Sequence, residues 1–271
     1  MKLVWAIGLA LALVGCAPPE SAEIPWSCTG DNPAFQLPSR GTSARVIALQ
    51  GEASDIGCAM QSYAAVLDEL HALGIRRLVL PVGLYEGLVV DRRLQTGAPA
   101  EQAAETVYRV WRESPEFMAL LDSLRRGEWR ISGGLMRYHA AGKALFAEEL
   151  AAKVPARSEE IRRLMGGTER LRDASRAGRD SVSALVAALM EESAGVQRQL
   201  LANYDAFVSL EGLRAEGESV QAWEERERRA NLQWLLDEWS EGDRVVYWMG
   251  RGDSLAPPTT ERVFRIVLRY D

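Results

Sequence analysis

Five short β-prone apolar runs separated by helical periodicity constrain this 271-residue chain more than any other feature. They cover residues 45–50 (RVIALQ), 76–82 (RRLVLPV), 128–132, 244–249 (RVVYWM) and 262–270 (RVFRIVLRY). Between the first two, Met60, Tyr63, Ala64, Leu67 and Leu70 recur at helical spacing, and Gly74 ends the helix. Further helices are expected over 100–113 and 115–126. Strand, helix and strand again, with short connections, predict an α/β fold: a mostly parallel central sheet with helices on both faces. Residues 141–240 read as almost wholly helical, a long insertion between the third and fourth strands. In it Val182, Leu185, Leu189, Val196, Leu200, Tyr204 and Phe207 share one helical face, which is core against a partner helix or, less commonly, a partner surface.

The N-terminus reads as an export segment. Lys2 supplies the positive charge, 3–14 is a short apolar stretch, and Leu13-Val14-Gly15-Cys16 has the spacing of a lipobox. A membrane span needs about 20 apolar residues, so a single-span anchor is the weaker reading. The expected organisation is a signal peptide over 1–15, a Pro-rich tether over 16–43 acylated at Cys16, and one domain over 44–271. That places the protein in the cell envelope, held to a membrane by its lipid. Ala17 after the cysteine favours the outer membrane, facing the periplasm.

The formal charge is −6, with no long basic block, so sequence-independent nucleic-acid binding is not expected. With Cys16 acylated, Cys28 and Cys58 are the remaining thiols. In an oxidising compartment they form one disulfide or stay as two buried thiols, and the sequence leaves both open.

In a parallel sheet, ligand groups gather beyond the carboxyl ends of the strands. The first strand runs into Gly51-Glu52-Ala53-Ser54-Asp55, the second ends at Pro81-Val82-Gly83, the third at Gly133-Gly134-Leu135-Met136 and the fourth at Gly250-Arg251-Gly252-Asp253. Glu52, Asp55 and Asp253 are thus candidate catalytic acids, able to raise one another's pKa or to hold a cation such as Mg²⁺ or Ca²⁺, with Arg251 beside them. The plainer alternative is that Asp55 caps the following helix and Asp253 closes a turn. His71 is placed to cap its helix. His139 follows the third strand closely enough to reach the cleft as a base. Two histidines without ligand spacing do not make a zinc site, and no Gly-x-Ser-x-Gly elbow or phosphate-binding loop is present.

The order and spacing of these segments over 44–257 resemble the erythromycin esterase family. Gly51-Glu52-Ala53-Ser54-Asp55 stands where the family has Gly-Glu-Ala-Thr-His-Gly, and Leu80-Pro81-Val82-Gly83 where it has Leu-Glu-Ala-Asp. Val110-Trp111-Arg112, Leu120 to Arg125, and Asn231-Leu232-Gln233-Trp234-Leu235-Leu236 match its helical motifs. The resemblance implies a hydrolase scaffold whose first histidine activates water. Here that histidine is Asp55, the second-strand glutamate is Pro81, the third-strand acid is Leu135, and the late histidines are Gly250 and Asp253. Glu52 alone remains, and an aspartate of pKa about 3.9 is a poor base at neutral pH. The implied function is a non-catalytic envelope lipoprotein whose cleft, with Arg251, His139, Trp111 and Arg112, binds a small molecule or protein. The alternatives are an ester or lactone hydrolase rebuilt on Glu52, Asp55 and Asp253, and a scaffold acting through the helical insertion. No cofactor is expected, and a divalent cation only under the hydrolase reading.

Overall fold

The computed structural model describes residues 20–28, 38, 41–51, 56–135, 137–167, 171–240, 242–249 and 263–270. Six strands, β1 (Glu20–Trp26), β2 (Val46–Gly51), β3 (Arg77–Gly83), β4 (Arg130–Leu135), β5 (Val245–Trp248) and β6 (Val263–Tyr270), form one sheet in the order β1-β6-β2-β5-β3-β4. Every neighbouring pair is parallel. The α/β architecture with a parallel sheet and a helical insertion is therefore as the sequence predicts.

The central strands are covered on both faces, which is why they are apolar at consecutive positions: Val245, Val246, Tyr247 and Trp248 are all buried. On one face Ile47, Leu49, Leu78, Leu80 and Phe264 pack against α1 (Ile56–Ala72) and α5 (Pro115–Arg126), through Leu67, Leu70, Leu120 and Leu121. On the other, Val46, Ala48, Val79 and Tyr247 meet Leu232, Leu235 and Leu236 of α10 (Gln221–Glu238). A third core joins α2 (Leu84–Gln95) to α6 (Ala140–Lys153), α7 (Ser158–Met165), α8 (Arg176–Glu191) and α9 (Gly195–Ala215), with Tyr85 and Val89 against Phe146, Met165, Leu185 and Tyr204.

Several local expectations are corrected. The Pro-rich segment read as tether contains β1, an edge strand whose seven residues pair with β6. Pro25 fits there because an edge strand leaves one side of its backbone unpaired. Cys28 and Cys58 form a disulfide, Cα–Cα 5.3 Å, tying the end of β1 to α1. Closing a loop over a 30-residue separation stabilises by roughly 3–4 kcal/mol. Helix α2 went unread because it is buried on more than one side, Glu86 and Asp91 included, and so lacks a simple apolar stripe. Residues 100–113 are not one helix but two single turns, α3 (Ala100–Ala103) and α4 (Arg109–Arg112), with a 3₁₀ turn between them. The long stripe of the insertion is a hairpin of α8 and α9 rather than one helix, and Val196, just past the turn, is exposed. No helix among the described residues is long and apolar enough to cross a membrane.

Candidate functional site

At the carboxyl edge of the sheet the β3, α2 and β4 backbones come unusually close. A Cβ on Gly87 of α2 would lie 2.0 Å from the Gly133 nitrogen, and one on Gly133 would lie 1.9 Å from the Gly83 carbonyl oxygen. Only glycine admits such contacts. The Gly133-Gly134 pair therefore does not close β4, as its sequence suggests, but lies inside it.

This approach brings a carboxylate absent from the sequence-based candidates to the centre of the edge. Glu86, in the first turn of α2, is 0% exposed. One of its oxygens accepts the Gly83 N–H at 3.2 Å and the other the His139 N–H at 2.6 Å, joining the turn after β3 to the start of α6. Gly142 is bare for the same reason: a Cβ there would meet the Glu86 carboxyl at 2.7 Å. Burial pushes the Glu86 pKa up to about 8, against the opposing pull of the two amides. At neutral pH the group is mostly a protonated acid.

His139 precedes α6, and its ring leans on the Tyr108 ring, centroids 5.3 Å apart. Burial first, then the Arg137 charge, lowers its pKa, so the imidazole is neutral at pH 7. Its Nε2 lies 4.0 Å from the Glu86 carboxyl, too far for a hydrogen bond. Arg137 itself reaches Glu224 of α10 at 3.6 Å.

Trp111 lies nearly parallel to Trp248, the last residue of β5, with centroids 5.3 Å apart, and also touches Phe117. Tyr63 of α1 backs Trp248 at 4.1 Å. The segment 108–111 thus spans the carboxyl ends of β5, β3 and β4, with Tyr108 over His139 and Trp111 over Trp248. Tyr108 is 50% exposed, so this surface faces outward. Arg112, exposed, donates to the Glu105 carbonyl at 3.2 Å.

Of the residues expected at the site, the structure brings His139 and Trp111 to one edge and leaves Arg112 beside them. Glu52, Asp55, Arg251 and Asp253, like the lipid acceptor Cys16, lie outside the described residues. His71 is structural, its Nε2–H donating to the Gly127 carbonyl at 2.8 Å. Among the described residues no three His, Cys, Asp or Glu side chains converge as metal ligands. Glu86, Tyr108 and Trp248 were missed. For Glu86 there was a signal, an acid three residues after the glycine that ends a strand, where a carboxylate can reach back to the helix N-cap.

No protein family and no curated protein matches the chain in sequence. Two solved structures are similar in fold. One is a Bacillus cereus protein, with TM-score 0.53 and 16% identity over 76% of this chain and 57% of the other. The second, described as a succinoglycan biosynthesis protein, has TM-score 0.57 and 11% identity over 77% of this chain and 57% of the other. The chain spans a little over half the length of each. At these identities the likeness is one of fold.

Proposed function

We propose that this protein is a lipid-anchored envelope protein of erythromycin-esterase-like fold, in which the carboxyl-edge cleft binds a ligand and no longer hydrolyses one. The observation that carries the reading is the state of Glu86. The acid at the centre of the edge is wholly buried, and both its oxygens are taken by backbone amides. A general base must lie within hydrogen-bond reach of the proton it removes. What faces outward instead is the Tyr108 ring, with the half-buried His139 imidazole and Trp111 ring beside it, a surface suited to packing against a ligand. Among the described residues no side chain hydrogen-bonds the His139 ring to orient it for proton transfer.

A hydrolase reading has one observation in its favour. β2 and β5 are neighbours, with Leu49 opposite Trp248, so the two strands that Glu52, Asp55 and Asp253 follow in the sequence end side by side. Under that reading the three acids, alone or around a divalent cation, handle water.

One assay separates the two. The purified protein, with and without Mg²⁺ or Ca²⁺, is incubated with erythromycin and a panel of esters and lactones, beside its Glu52→Gln variant. The binding reading expects background turnover in both proteins and a saturable change in tryptophan emission from Trp111 and Trp248. Turnover abolished by Glu52→Gln overturns it. The anchor is tested separately: Cys16→Ser should abolish palmitate labelling and release the protein from the membrane fraction, and unchanged labelling would exclude acylation at that residue.

A further inference from the structure

The sheet face under α10 is apolar only as far as that helix reaches. Side chains alternate along a strand, so β6 presents Val263, Arg265, Val267 and Arg269 on this face. The register sets Ser21 of β1 and Ala48 of β2 on either side of Arg265, and Glu23 and Gln50 on either side of Val267. An arginine flanked by two small side chains leaves a hollow above the sheet. It is an open groove of about 450 Å³ lined by Ser21, Glu23, Gln50, Arg265 and Arg269, with Tyr270 at its carboxyl end. Small-molecule sites span about 300–1,000 Å³. The Tyr270 hydroxyl is fixed by Ser62 at 2.7 Å.

The charges of this groove do not balance. Glu23 is paired with Arg269 at 2.8 Å, both largely exposed at the rim. Arg265 is half-buried, its Nε is wholly buried without a hydrogen-bond partner, and no carboxylate among the described residues pairs with it. The Gln50 amide and Ser21 hydroxyl are likewise not engaged by any described side chain. The lining therefore offers one unneutralised guanidinium and a set of neutral polar groups.

We propose that this groove is a binding site for a small hydroxylated carboxylate. Its carboxylate pairs with the Arg265 guanidinium, and its hydroxyls meet Gln50, Ser21 and Glu23. A single unpaired cation matches the one charge of a carboxylate better than the roughly −1.5 to −2 of a phosphate monoester. The polar lining selects a hydrophilic remainder. The site lies over β1, β6 and β2, apart from the aromatic cleft over β5, β3 and β4, and does not depend on the function proposed for that cleft.

Calorimetric titration of the purified protein with sodium D-glucuronate, D-glucose and inorganic phosphate tests this. Glucuronate should saturate the protein below about 10 mM, glucose should not bind, and Arg265→Gln should weaken glucuronate by about tenfold or more. Should Arg265→Gln fail to fold, Gln50→Leu keeps the cation and should still weaken binding about threefold. No binding of glucuronate, equal affinity in the folded variants, or tighter binding of phosphate than of glucuronate would each overturn the proposal.

Discussion

Glu86 is where residue chemistry and architecture meet. Its pKa, about 8 in the fold, lies above the usual 4.5 because the carboxyl is removed from water. The native state therefore keeps a proton that the unfolded chain releases, and stability from this group is full below about pH 4.5 and is lost as pH rises through about 8. His139 works in the opposite direction at lower pH: its pKa is lowered, so acidification towards and below 6.5 costs stability. The imidazole contributes equally to the wild type and to a Glu86 variant, so between pH 6.5 and 8 their difference reports the carboxyl alone. Glu86→Gln removes the titration while nearly keeping the shape. Its unfolding free energy should rise relative to the wild type by on the order of 1–2 kcal/mol across that interval. Urea unfolding at pH 6.5, 7.2 and 8 measures it, and a difference flat with pH would show that Glu86 is not a buried acid. The place of Glu86 at a helix start was legible in the sequence, but its burial was not. The chain places Glu86 beyond the end of a strand, at a position usual for a helix-starting acid, and only the approach of His139 and Gly142 from 50 residues away removes it from water.

At the scale of elements, the carboxyl edge depends on glycines that let α2 lie against β4. Ala is favoured over Gly inside a helix by about 1 kcal/mol, so propensity alone says Gly87→Ala should stabilise. The added Cβ would stand 2.0 Å from the Gly133 nitrogen and 2.3 Å from the Ser132 carbonyl carbon. These are backbone atoms that cannot rotate aside, and overpacking of this kind costs about 1–3 kcal/mol or more. The clash should win, leaving Gly87→Ala less stable by about 2 kcal/mol or more in denaturant unfolding. A variant as stable as the wild type would mean that α2 is free to shift off the strand. Elements buried on both faces, β2, β3 and β5, were legible because continuous apolar runs have no other use in so short a length, and β6 because Phe264, Ile266 and Leu268 alternate along it. α2 and β1 were not. The first is a helix buried among polar as well as apolar groups, and the second is an edge strand rich in residues that also suit a linker. Sequence patterns record how a segment meets water, and both segments meet it in ways that other structures share.

Over the whole molecule, the question is whether the helical insertion is an independent body or a wing of the sheet domain. Its core, from Phe146 through Ile161 and Leu185 to Tyr204 and Val208, is continuous with Tyr85 and Val89 of α2, which leaves β3 at the carboxyl edge. Packing of that kind couples the stability of the two parts. The chain carries its own means of telling them apart: none of its eight tryptophans falls between residues 140 and 215. Tryptophan emission therefore reports the sheet and the helices laid on it, whereas far-ultraviolet circular dichroism also counts the insertion. Tyr204 is wholly buried, touches the Tyr138, Phe146 and Phe207 rings, and hydrogen-bonds the Met165 carbonyl at 3.2 Å. Truncating such a ring costs about 3–5 kcal/mol. If the core is shared through α2, Tyr204→Ala should lower the urea midpoint of both signals together, although no tryptophan lies in α6 to α9. A helical signal lost first, with tryptophan emission unchanged until the wild-type midpoint, would make the insertion a separate folding unit. Helices α6 to α9 could then open without disturbing the sheet.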